Sequence, residues 1–120
     1  EDMMRFLRTK SGVRMLQAAR NRKLYKEQPF VISVNASEIY QGDLSGEKIL
    51  VQGIIDVYFE EEDGLVVLDY KTDQVKSRKE LVEKYHAQLE YYEQALSMMT
   101  GKKVKEKLIY SFTLGEVIEV

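Results

Sequence analysis

The chain has 120 residues, 44% hydrophobic and 32% charged, with one proline, no cysteine and a formal net charge of −2. That is a single domain's length, enough for a core and too little for two, and its charge balance gives no global attraction to nucleic acid. The missing cysteines exclude disulfides, zinc ribbons and iron–sulfur clusters and fit a reducing, cytoplasmic setting, and the lone histidine, His86, excludes a site built from several imidazoles.

Residues 1–26 read as helical with a break near Ser11-Gly12, where Ser11 is the expected N-cap of a second segment. Val13, Leu16, Ala19 and Lys23 or Leu24 recur at helical spacing and form its expected buried stripe. Arg5, Arg8, Lys10, Arg14, Arg20, Arg22 and Lys23 make this end basic. Such a run is either a solvated helix face or a phosphate-contacting one. Pro29 is expected to stop the helix, and Phe30 to Ala36 then reads as a strand with Phe30, Ile32 and Val34 inward. Ser37 to Lys48, polar and carrying Gly42 and Gly46, reads as a loop.

Ile49 to Asp73 follows as two apolar strands joined by an acidic turn. Asp63-Gly64 signals a hairpin. Alternation puts Ile49, Val51, Gly53, Ile55, Val57 and Phe59 on one face of the first strand, with Leu50, Gln52, Ile54, Asp56 and Tyr58 on the other. After the turn Leu65, Val67, Asp69 and Lys71 share a face. A loop at Glu61 to Gly64 sets Asp56 directly opposite Asp69, within cross-strand reach. Ser77-Arg78-Lys79-Glu80 has the form of a capping box opening a helix that runs to about Thr100, with Gly101 as its stop. Its apolar stripe is Leu81, Tyr85, Leu89, Tyr92, Leu96 and Met99. Val104 to Phe112 and Val117 to Val120 are the last two strands. The pattern predicts an α/β domain, a central mixed sheet flanked by helices.

Asp56 and Asp69 are embedded in apolar strands, where acids are either surface residues of a half-exposed sheet or members of a site. Asp73 and Glu60 to Asp63, at turns and strand ends, read as inert. Two facing carboxylates repel unless a cation lies between them, and hard oxygen ligands suit Mg²⁺ or Mn²⁺. The Tyr70 carbonyl, between Asp69 and Lys71, can add a third oxygen. Lys71 would then stabilise charge on a phosphate, which makes phosphodiester hydrolysis the indicated reaction. Gln88 is a polar amide within the helix stripe. It either ties strand ends together or faces the site with Tyr92, one turn away. Lys76, Arg78 and Lys79 lie where a nucleic acid backbone would pass, or solvate a helix start. His86 reads as a surface residue.

Gly53-x-x-Asp56, Asp69-Tyr70-Lys71-Thr72-Asp73 and Gln88-Leu89-x-x-Tyr92, in that order, resemble the RecB-type branch of the PD-(D/E)XK nucleases, over nearly the whole chain. The resemblance implies a restriction-endonuclease-like fold and a Mg²⁺-dependent deoxyribonuclease, an exonuclease domain spanning residues 1–120. It implies that Asp56 and Asp69 bind the metal, that Lys71 is catalytic, and that Gln88 and Tyr92 support the site and the DNA. Glu27 matches a recurrent glutamate before the Pro-Phe pair. The implied partners are DNA, helicase domains upstream in the same chain and a second helicase–nuclease subunit, in bacterial repair of double-strand ends by recombination. No G-x-x-x-x-G-K-[ST] phosphate loop occurs in the sequence, and the chain begins at Glu1, so it is expected to be a piece of something longer. Family members usually carry a histidine on a preceding helix, which would then lie upstream of Glu1. The competing expectation is a catalytically silent DNA-binding or scaffolding module on the same fold, which the intact Asp56, Asp69 and Lys71 disfavour.

Overall fold

A computed structural model describes residues 2–38 and 46–120. In chain order the elements are helices α1 (Asp2–Leu7) and α2 (Lys10–Arg20), strand β1 (Leu24–Asn35), a 3₁₀ turn (Ala36–Glu38), strands β2 (Lys48–Glu61) and β3 (Gly64–Lys71), helix α3 (Arg78–Thr100), and strands β4 (Val104–Ser111) and β5 (Glu116–Glu119). The sheet order is β1-β2-β3-β4-β5. β3 and β4 pair in parallel, joined through α3, and every other neighbouring pair is antiparallel. This is the mixed sheet flanked by helices that the pattern predicts. Most of the loop expected at Ser37 to Lys48 lies outside the described residues. Among those described, no helix is long and apolar enough to cross a membrane.

Each face of the sheet buries its own core. α3 covers Phe30, Ile32, Val34, Ile55, Leu65, Val67 and Ile109 with Leu81, Leu89, Tyr92, Ala95 and Leu96. On the other face α1 and α2 cover Val57, Phe59, Val66, Leu68, Leu108 and Tyr110 with Phe6, Met15 and Ala18. β3 is sealed on both sides, and Leu65 to Leu68 are each at most 1% exposed. Such a strand reads as an unbroken apolar run.

α3 has the predicted limits. Ser77 caps it, its hydroxyl accepting the Glu80 N–H at 3.2 Å. The Glu80 carboxylate reaches back to the Lys76 N–H at 3.0 Å, one residue earlier than a standard capping box. Gly101 ends the helix in the left-handed region, φ 70°. Met99, expected on the stripe, is 48% exposed.

The N-terminal expectations need three corrections. The helix break falls before Thr9, whose hydroxyl accepts the Gly12 N–H at 3.0 Å, so Thr9 and not Ser11 is the cap. The buried residues of α2 are Gly12, Met15 and Ala18, while Val13 and Leu16 are 57% and 42% exposed. Gly12 decides that face: a Cβ there would stand 2.3 Å from the Phe6 carbonyl oxygen, so only glycine lets α2 press against α1. Finally, Pro29 does not stop a helix. The helix has ended at Arg20, and Pro29 sits inside β1, which tolerates it because β1 is an edge strand.

Candidate active site

The β2–β3 ladder opens at Glu61↔Gly64 and runs to Val57↔Leu68. One step further, the same register sets Asp56 opposite Asp69, as the loop length predicts. The ladder stops there because a side chain takes over: Asp56 Oδ2 accepts the Tyr70 N–H at 3.0 Å. A backbone N–H lies in the plane of the sheet, so the Asp56 carboxylate lies in that plane too, in the gap where β2 leaves β3.

The strand rotates at this residue. Ile55 belongs to the core under α3, whereas Val57, two residues on, belongs to the core under α1 and α2. Alternation would put both on one face, so the expected set Ile49 to Phe59 is broken at Asp56, and Val57 and Phe59 point the other way. β1 breaks at the matching place. Lys26 pairs with Val57 and Gln28 with Ile55, while Glu27 between them adopts φ 51°, a left-handed conformation uncommon for a residue with a Cβ. Glu27 and Asp56 line one cavity of about 500 Å³ with Met15, Val57 and Tyr70.

Asp69 is 2% exposed. Burial first, then the hydrogen-bonding reach of the Asp56 carboxyl, push its pKa up to about 7 against the pull of Lys71. The register of the ladder and this mutual influence make the two carboxyls neighbours across the fork. Lys71 Nζ stands 2.7 Å from Asp69 Oδ2, close enough for charge pairing. The approach is off-line, however, and Oδ2 is buried with no hydrogen-bond donor. The ammonium compensates its charge, and a carboxylate oxygen has a further lone pair that a hard cation could use.

Lys71 donates to Gln88 Oε1 at 3.0 Å, and its ammonium lies 3.9 Å from the centroid of the Tyr85 ring. Of the two readings of Gln88, the one that turns it toward Lys71 is the arrangement found. Tyr92 is different. Its ring is 5% exposed in the core, edge-on to Phe30 at 5.5 Å, and its hydroxyl donates to the Ile54 carbonyl at 3.3 Å. Burial, then the charges of Asp69 and Asp56, hold its phenol protonated well above the usual range. Tyr92 thus steadies β2 two residues before Asp56.

Tyr85 and Asp73 have places that the sequence pattern does not assign them. The Tyr85 hydroxyl donates to the Asp73 carboxylate at 2.8 and 3.0 Å, and Lys84 Nζ lies 2.5 Å from the same group. The available signal was spacing, since Tyr85 stands three residues before Gln88 on one helix face. Elsewhere, Arg14 of the basic N-terminal run forks onto Glu61 at 2.6 Å and Glu106 at 2.5 Å. Among the described residues, Arg78 and Lys79 face Glu116 and Glu83 at 3.6 and 3.9 Å and do not touch the acid pair. His86 is exposed and pairs with Glu90 at 2.7 Å.

The donor set fits a hard divalent cation. Asp69 Oδ2 faces the Lys71 ammonium at 2.7 Å and accepts no aligned hydrogen bond, and Asp56 is its neighbour. In an extended strand the N–H and C=O of one residue point the same way, so the Tyr70 carbonyl faces Asp56 as its N–H does. Among the described residues no three of His, Cys, Asp and Glu converge. A cation at the fork would therefore have two carboxylates, one carbonyl and water, a sparse set that suits Mg²⁺, which keeps several waters.

The model of the PD-(D/E)XK nuclease superfamily matches residues 5–117. An ATP-dependent helicase/nuclease subunit of Clostridium botulinum (strain Loch Maree / Type A3) is 44% identical over 122 residues, covering 98% of this chain and 9% of that protein. The protein of the same name from Thermoanaerobacter sp. (strain X514) is 48% identical over 119 residues, 95% of this chain and 9% of its own length. The chain thus spans 9% of the length of these curated relatives. The forked hairpin, the paired aspartates, Lys71 and the helix carrying Gln88 all fall inside the matched span, and the chain belongs to the PD-(D/E)XK nuclease superfamily.

Proposed function

We propose that this domain hydrolyses phosphodiester bonds of DNA with Mg²⁺, or Mn²⁺ in its place, working as an exonuclease. In this reading it is the nuclease part of a longer cytoplasmic helicase–nuclease that prepares double-strand ends for recombinational repair. Its proposed partners are a second helicase–nuclease subunit and helicase domains of the same chain, and the names of the relatives support them. The observation that carries the proposal is the placing of Asp56 and Asp69 side by side at the fork of β2 and β3, with the Lys71 ammonium 2.7 Å from the buried Asp69 Oδ2.

Asp56, Asp69 and the Tyr70 carbonyl are the proposed ligands. The bound ion would polarise a phosphate oxygen and lower the pKa of the attacking water. The chain's own residues do the rest. Lys71 carries positive charge to the edge of the acid pair, where it stabilises the oxygens on which negative charge gathers. Gln88 accepts one of its N–H groups and limits where the ammonium can point. Tyr92, bonded to the Ile54 carbonyl, keeps β2 in place so that Asp56 remains at the fork.

The test is cleavage and Mn²⁺ binding measured on one set of proteins. Asp69→Ala, folded by circular dichroism, should lose both cleavage of linear DNA and Mn²⁺ binding by titration. Cleavage that survives this change overturns the assignment. Mn²⁺ binding without cleavage in the unaltered chain would identify a catalytically silent module.

A further inference from the structure

We infer that Tyr85 is a positioning residue for Lys71, holding the ammonium in place with the face of its ring, and that Asp73 fixes the ring for this purpose. The inference rests on the nuclease reading and adds to it a part that neither the aspartates nor Gln88 supplies.

The argument starts from the donors of an ammonium group. Lys71 has three N–H bonds and is only 15% exposed at its side chain, so water cannot satisfy all of them. Three walls surround Nζ: Asp69 Oδ2 at 2.7 Å, Gln88 Oε1 at 3.0 Å and the Tyr85 ring centroid at 3.9 Å. One wall is charged and two are neutral. That ratio matters for chemistry. A second carboxylate in place of the ring would neutralise the ammonium and spend its field on the protein. A ring face attracts a cation through its quadrupole while leaving the charge intact for a phosphate.

The ring is held as firmly as the lysine. Its hydroxyl bridges both oxygens of Asp73 at 2.8 and 3.0 Å. The Asp73 carboxyl is held below its usual range, first by Lys84 and then by Tyr85 itself. The Asp73 backbone carbonyl accepts the Thr113 hydroxyl at 2.6 Å, which ties this turn to the segment after β4. A phenol donating to a carboxylate also pushes electron density into its ring, which strengthens the attraction for the ammonium. Tyr85 and Gln88 are three residues apart on α3, so one helix face delivers both neutral walls together.

Two measurements test this on the 120-residue chain. The first is steady-state cleavage of linear DNA. Tyr85→Leu should lower kcat about tenfold with KM unchanged, the loss expected for a partly buried cation–π contact. Tyr85→Phe, which keeps the ring, should stay within about threefold of the unaltered chain. The second needs no activity. The ε-methylene protons of Lys71, lying over a ring, should resonate upfield of free lysine in the unaltered chain and in Tyr85→Phe, and should return to the ordinary position in Tyr85→Leu. Full kcat in Tyr85→Leu, or an equal loss in Tyr85→Phe while the Lys71 protons stay upfield, overturns the role of the ring. Ordinary Lys71 shifts in the unaltered chain overturn the contact itself. No cleavage by the unaltered chain would overturn the nuclease reading instead, so the two failures are told apart.

Discussion

Asp69→Asn should stabilise the domain at high pH when no divalent ion is present. Asp69 is 2% exposed, and burial with the nearby Asp56 carboxyl raises its pKa from 3.8 to about 7. A folded-state pKa above the unfolded one means that the folded chain binds more protons between the two values. Stability therefore falls as pH rises from about 4 to about 7 and stays low above that. Three units at about 1.4 kcal/mol each set a ceiling of about 4 kcal/mol on the cost of ionising Asp69 in the fold. Asparagine removes that cost but also removes the partner of Lys71, whose ammonium is then left half-buried with one neutral acceptor. The net gain should be about 1–2 kcal/mol at pH 8, near 4–8 °C in Tm for a domain of this size. The assay is thermal or urea unfolding of both proteins in EDTA at pH 5 and pH 8. At pH 5 folded Asp69 is still protonated and only about a third of that cost has set in, so the advantage of asparagine should be clearly smaller there than at pH 8. A difference that does not change between the two pH values, or a variant less stable at pH 8, would refute a buried Asp69 that resists ionisation beside Asp56. Adding Mg²⁺ at pH 8 should reverse the order, because only the carboxylate can bind it.

Two other contacts make separate predictions, both read by urea unfolding. Arg14→Ala removes the fork onto Glu61 and Glu106 and should cost about 1–2 kcal/mol at pH 7. The same guanidinium holds Glu61 at a pKa of about 2, below the ordinary 4.5. This depressed acid contributes stability above about pH 4.5, and the contribution should fade as pH drops toward 2, narrowing the gap between variant and parent. Tyr92→Phe deletes the hydroxyl that donates to the Ile54 carbonyl and should cost about 1 kcal/mol, with the fold retained. An unchanged midpoint would mean that this bond does not steady β2.

The parts of the molecule governed by short-range pattern were legible in the sequence. α3 runs from Arg78 to Thr100 because Ser77 and Gly101 bracket it, and the hairpin register follows from the loop at Glu61 to Gly64. That register is why the meeting of Asp56 and Asp69 could be anticipated at all. What escaped was decided by tertiary contact. α2 has apolar residues on two sides, and the close approach of Gly12 to Phe6 selects Met15 and Ala18 over Val13 and Leu16. The rotation of β2 at Asp56 needs the partner break at Glu27 and the Tyr70 N–H, both far away in sequence. Tyr85 fits an apolar stripe equally well, and only the position of Lys71 gives its ring a second task.

Pro29 has a consequence for behaviour in solution. β1 is a 12-residue strand on the margin of the sheet, the kind of margin that recruits strands from other chains. Midway along it, the Gln28 side-chain amide donates to the Pro29 carbonyl at 2.9 Å, and this exposed bond marks the outward-facing groups of Pro29. Proline has no N–H to offer an incoming strand, and its acceptor is already engaged. The margin is interrupted at its centre by one residue and its neighbour, which disfavours fibril-like stacking of this domain at high concentration.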